Sequence, residues 1–329
     1  MKREFHAQYA FALQDSTTQA FALDWLVGKS TRTPHRWPEV RELGPGADDF
    51  ARLMVLAQAI VTGYKDQART GGRKDPGGLY YWIRHKSTRW LRQRQNFMRN
   101  VLELGTNSPL TPSLPDPSIF PHGSWTVRIV FNLKKPYISK DDVDFYILDN
   151  PVKKEWVFKV PYVAPSQWKG ALRAAMRRLR GYTTWDEEAQ DRQMVRLFGN
   201  IKGEEDTFSS GRLHFYPTFF DRIGLEVINP HPRDTGAGKQ PIYFECVPVG
   251  TPGVFTLLYV PLDAGPRDED TVKADLAAVA RGIRAMLTEY GFGAKTSSGY
   301  GVADVEENGV EIRAIGLQDA EEAFQDGWG

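Results

Sequence analysis

Residues 271–301, TVKADLAAVARGIRAMLTEYGFGAKTSSGYG, decide how this chain must be read. Leu276, Val279, Ile283 and Leu287 recur near helical spacing, which predicts an amphipathic helix over 271–290. The run GFGAKTSSGYG, 291–301, follows it directly, and GVADVEENGVEIRAI, 301–315, then reads as a strand pair. The phosphate loop of a nucleotide hydrolase has the opposite order: a strand, a Gly-rich turn ending in Gly-Lys-Ser/Thr, then a helix. Here the glycines stand between a helix and a strand, and Ala294 precedes Lys295. The order argues against a conventional ATP or GTP site. It leaves a tight structural turn, or a surface for a longer phosphate polymer, as readings of the run.

Upstream, SWTVRIVFNL, 124–133, alternates as a strand should, with Trp125, Val127, Ile129 and Phe131 on one face and Thr126, Arg128 and Val130 on the other. A helix is predicted from about Ser166, carrying Lys169, Arg173, Arg177, Arg178 and Arg180 beside Leu172, Ala175, Met176 and Leu179. GRLHFYPTFF (211–220), PIYFECVPVG (241–250) and GVFTLLYVPL (253–262) read as further strands. A β-α-β order with a later α-β return points to an α+β, ferredoxin-like (RRM-like) module with long insertions. It is assigned to residues 121–329. Residues 1–120 read as an α/β elaboration, mostly helical, with a strand at 5–13, a helix at 48–63 and another at 79–103. A proline-rich connector, 108–121, separates the two regions.

Bulk properties narrow the function classes. In 329 residues, 41% hydrophobic and 12% aromatic content excludes global disorder, and a formal charge of +1 gives no overall field to attract polyanions, so any such binding needs local patches. One cysteine, Cys246 in the apolar run YFECVPV, excludes an internal disulfide framework and a cysteine-rich zinc site, and reads as a buried spectator. No stretch is apolar and long enough for a signal peptide or a membrane-spanning helix, so the expectation is a soluble, cytoplasmic chain with no membrane association.

Four separated features, in one order, resemble the RAMP superfamily of CRISPR-associated proteins. They are LDNPVKKEWVFKVPYVAPSQWKGALR (148–173), Leu197-Phe198-Gly199, GRLHFYP (211–217) and GFGAKTSSGYG. The likeness is strongest to Cas7-like subunits of type III (Cmr/Csm-like) effector complexes and covers roughly residues 123–310. It implies a ferredoxin-like RAMP fold and binding of CRISPR RNA and target RNA. It also implies assembly with other Cas subunits, including a Cas10-like one.

The candidate residues follow. Lys169, Arg173 and Arg177 lie one helical turn apart and could meet successive phosphates; a solvated helix face is the alternative. Gly291, Gly293, Gly299 and Gly301 would let backbone amides approach RNA, with Lys295, Thr296, Ser297 and Ser298 around phosphate or ribose oxygens; a helix-ending turn is the alternative. By the resemblance, Asp149 matches the position of a catalytic aspartate that cleaves target RNA with Mg²⁺, though Asp-Asn-Pro is also an ordinary turn. The leading reading is an RNA-binding subunit that holds CRISPR RNA and presents target RNA; the enzyme alternatives are this metal-dependent endoribonuclease and a metal-independent CRISPR RNA processing enzyme. The dispersed histidines supply no evident acid and base for the latter, and no organic cofactor is implied. Arg84, Arg89 and Arg92, among aromatics, form an additional RNA or subunit surface or one side of a packed helix.

Overall fold

In the computed structural model, the residues described are 110, 112–141, 150–200, 209–228, 242–262, 265 and 268–329, with six positions between 92 and 103. The expected elements at 5–13 and 48–63, most of that at 79–103, and Arg84, Arg89 and Asp149 lie outside them. The chain forms two compact units. Lys140–Val152 and Arg222–Cys246 belong to the first, and Leu102–Ser139, Lys153–Asp221 and Val247–Gly329 to the second. The polypeptide passes twice from the second unit back to the first.

The second unit is built on β1 (Trp125–Leu133), β3 (Leu213–Phe215), β7 (Pro252–Tyr259) and β8 (Ala303–Ala314). They form one sheet in the order β3-β7-β1-β8, with every neighbouring pair antiparallel. Between β1 and β3 runs α1 (Pro165–Leu179), followed by the short helices α2 (Trp185–Gln190) and α3 (Arg192–Phe198); between β7 and β8 runs α4 (Glu269–Ala285). A two-stranded antiparallel pair, β2 (Tyr162–Val163) with β4 (Thr218–Phe219), lies between β1 and β7 in the sequence.

The alternation of β1 sets the core. Trp125, Val127, Ile129 and Phe131 are all buried, each worth about 1.5–3 kcal/mol relative to exposure. Trp125 stacks on Tyr259 at 4.8 Å, and Trp168 of α1 meets Phe131 and Phe255 edge-on at 6.1 and 5.0 Å. The buried stripe of α1 is Trp168, Leu172 and Met176; that of α4 is Val272, Leu276, Val279 and Ile283. Both repeats follow helical spacing, and Met176 and Leu172 pack on Gly282 where the helices meet.

Two differences from the sequence reading concern the C-terminus. GVADVEENGVEIRAI forms one strand, not a pair: Ile129 faces Val310 while Phe131 faces Val305, so the residues around Asn308-Gly309 bulge out of a ladder that β1 holds on both sides. Residues past 315, to which the sequence reading assigned nothing, include α5 (Ala320–Trp328), whose Phe324 is buried.

In the first unit, β5 (Gly224–Ile228) pairs antiparallel with β6 (Ile242–Cys246). Asn150 bridges to Phe244, and its carbonyl accepts from the Glu245 amide at 3.0 Å. The Val152 amide donates to the buried Glu245 carboxylate at 3.3 Å.

Candidate nucleic-acid interface

After α4 a five-residue π turn, Met286–Tyr290, delivers the chain to Gly291. Phe292 then enters the core, its ring 4.5 Å from Trp168 and 5.7 Å from Phe131. The backbone on either side is fastened: Phe292 N–H donates to the Gly301 carbonyl at 3.1 Å, Ala294 N–H to Ile138 at 2.7 Å and Gly301 N–H to Pro136 at 2.9 Å. Gly301 has φ +72°, and a Cβ there would lie 1.9 Å from the Phe292 carbonyl oxygen. Glycine is therefore required by contact as well as by conformation.

This closure changes what the run can offer a ligand. The amides of Phe292, Ala294, Ser298, Gly299 and Gly301 already donate to protein carbonyls, so they do not make a phosphate cradle. What reaches the surface is the crest: Lys295, in the left-handed region at φ 59°, and the 3-10 turn Thr296–Ser298, with Lys295, Ser297 and Ser298 exposed. Gly299 closes the crest with open space where a Cβ would be.

The basic stripe of α1 divides. The buried carboxylate of Glu188, on α2, takes a hydrogen bond from Arg173 Nε and pairs with Arg177 Nε at 3.1 Å, off the hydrogen-bond axis. Arg177 also donates to the Thr184 carbonyl at 2.9 Å, and its guanidinium lies 3.8 Å from the Trp185 ring centroid. A Thr184–Glu187 capping box fixes the start of α2 and thereby the place of Glu188. Thus Arg173 and Arg177, expected on RNA phosphates, hold α2 against α1 in this structure. Lys169 is half-buried; burial first, then the charge of Arg173, holds its ammonium below the ordinary lysine range. The His214 imidazole, which faces outward between buried Leu213 and half-buried Phe215, is pushed down by burial and by the Lys169 charge. A desolvated cation beside another cation is stabilised by an arriving anion.

Sequence reasoning missed a buried polar network. Asp275 of α4 accepts two bonds from Arg196 of α3, at 2.8 and 2.6 Å, one from the Tyr259 hydroxyl at 2.9 Å and one from Gln193 at 3.0 Å. Buried Arg212, just before β3, donates to the same tyrosine oxygen at 2.8 Å. Burial and the Asp275 charge raise the Tyr259 hydroxyl pKa far above the ordinary range, so it stays a donor to the carboxylate. The available signal was positional: Asp275 lies three residues after Val272 and four before Val279, on the apolar stripe itself.

Of the remaining candidates, Arg92 is helical and exposed. Cys246 is buried, and burial, with Glu226 and Glu245 nearby, pushes its thiol up to about 12, in keeping with an inert group. Among the described residues no cluster of three or more His, Cys, Asp or Glu is placed to hold a metal ion, and no helix is long and apolar enough to cross a membrane.

The chain is similar to a subunit in the solved structure described as a type III-B Cmr-beta bound to cognate target RNA, at 16% identity, with 81% of this chain and 91% of that one covered and a TM-score of 0.45. It is also similar to a chain in a structure described as a CRISPR RNA-guided surveillance complex, at 18% identity, with 57% and 68% covered and a TM-score of 0.38. No curated protein matches it. The RAMP superfamily sequence model matches residues 105–304, which span β1, α1, the whole sheet up to the start of β8 and the glycine-rich crest. Since that is more than half of the chain and contains every motif quoted above, the chain belongs to the RAMP superfamily.

Proposed function

We propose that this chain is a Cas7-like, RNA-binding subunit of a type III CRISPR effector complex, which contacts CRISPR RNA through its backbone and presents target RNA beside other Cas subunits. The observation that carries the reading is the glycine-rich crest within a RAMP-superfamily match: Gly291, Gly293 and Gly301 are held in close backbone contact while Lys295, Ser297 and Ser298 stand at the surface. The β-α-β-β-α-β succession and the order β3-β7-β1-β8 fit the split β-α-β arrangement of a ferredoxin-like fold. Exposed cations and hydroxyls suit phosphate and ribose contact, which positions RNA without reading its sequence. Asp149 stays in this proposal as the residue that would bind Mg²⁺ if the subunit cleaves target RNA, and a Cas10-like neighbour is part of the assembly envisaged.

The stripe of α1 supplies a test that separates binding from folding. Lys169→Ala and Lys295→Ala are each expected to lower the slope of log affinity against log salt for single-stranded RNA by about 0.7, while leaving the thermal midpoint in place. Arg177→Ala is expected to destabilise by about 2 kcal/mol, because it removes one of the two guanidinium partners of the buried Glu188 carboxylate while Arg173 remains. Filter binding across a salt series, with thermal melts alongside, measures both. Unchanged slopes for both lysine variants would remove those two residues from the interface.

A further inference from the structure

Residues 153–161, KKEWVFKVP, make a closed turn whose tip is apolar and exposed. Lys154 and Pro161 form an antiparallel bridge, Glu155 N–H donates to the Val160 carbonyl at 2.8 Å, and Lys159 N–H donates to the Glu155 carbonyl at 3.0 Å. The Glu155 carboxylate bends back to accept from the Val157 and Phe158 amides at 2.8 and 2.6 Å, so the tip is held from inside. Outside it, Trp156 is 82% exposed, Val157 72% and Phe158 40%. Single exposed apolar residues are ordinary, but three in succession on a hydrogen-bonded tip contribute nothing to the core and mark a contact surface.

The chemistry of the tip selects its occupant. Lys154 and Lys159 flank it in the sequence, the Lys153 ammonium lies 6.0 Å from the Tyr162 ring centroid at the base of the turn, and the one acidic residue, Glu155, directs its carboxylate at backbone amides. The Lys159 ammonium sits 4.6 Å from the Trp156 ring centroid and covers one face of the indole. The other face is a flat π surface on a turn rich in lysine, the combination that stacks an unpaired base and neutralises its phosphate.

We infer that Trp156 is a base-stacking platform for single-stranded RNA, with Lys154 and Lys159 holding the adjoining backbone. This rests on the RNA-binding reading above and adds a contact to the bases themselves. The test uses the full chain with an oligoadenylate carrying 2-aminopurine, whose fluorescence falls on stacking. The parent chain should bind and quench the probe. Trp156→Ala should weaken binding about tenfold and abolish the quench with the salt slope unchanged, while Trp156→Phe should keep the quench. If the parent binds RNA but Trp156→Ala binds and quenches equally well, the platform is overturned and the RNA-binding reading stands. A parent that binds no RNA overturns both. Should Trp156→Ala leave RNA binding intact but lose a co-purifying subunit, the tip docks protein and the inference fails.

Discussion

Gly301→Ala is expected to cost about 4 kcal/mol or more of folding stability, enough to leave much of the protein unfolded, since whole domains are stable by only about 5–15 kcal/mol. Two effects add. An L-residue at φ +72° carries about 1–2 kcal/mol of backbone strain. The new Cβ would also stand 1.9 Å from the Phe292 carbonyl oxygen, backbone against backbone, so neither side can yield without drawing Phe292 out of its aromatic cluster. Loss of a buried phenylalanine costs about 3–5 kcal/mol on its own. Gly299→Ala is the control: φ is +82° there, but nothing lies within 4 Å, so only the strain of about 1–2 kcal/mol applies. Urea denaturation of the two variants measures the difference. Equal losses would show that conformation alone, and not close contact, fixes the glycine at 301.

Asp275→Ala is expected to destabilise by about 3–5 kcal/mol, because it removes the counter-charge that Arg196 meets with two hydrogen bonds. It also takes the acceptor from the buried Tyr259 hydroxyl, which joins α4 to β7. Tyr259→Phe keeps the ion pair and is expected to lose about 1–2 kcal/mol. The pairing itself is isolated by Arg196→Met with Asp275→Leu, which should recover much of the loss by removing both charges together. Denaturation midpoints of the three variants check the ranking; a double variant no better than Asp275→Ala would mean that the network acts through shape rather than charge.

Both predictions turn on residues whose type was legible in the sequence while their partners were not. The face alternation at Trp125–Phe131 and the stripe Leu276, Val279 and Ile283 gave the sheet's inner face and the buried side of α4, because period alone decides those. The position of the glycine run between helix and strand was readable for the same reason. Its closure against Pro136 and Ile138 was not, since those residues lie more than 150 positions earlier in the chain. Arg173 and Arg177 showed their charge and their helical spacing, but the buried Glu188 that engages them sits on α2, a helix six residues long that no periodic pattern announces. The bulge in β8 hid behind Glu-Asn-Gly, a sequence equally suited to a hairpin turn. For Arg84, Arg89 and Asp149, the structure adds nothing to the residues' chemistry.

The crest, Lys169 and the Trp156 tip all converge on one claim, that this RAMP-superfamily chain holds RNA inside a larger assembly. Purifying the chain with its native partners and sequencing any nucleic acid that stays bound tests that claim most directly. The account predicts CRISPR RNA in the intact assembly, released as salt is raised. An intact assembly that carries no guide RNA would contradict it.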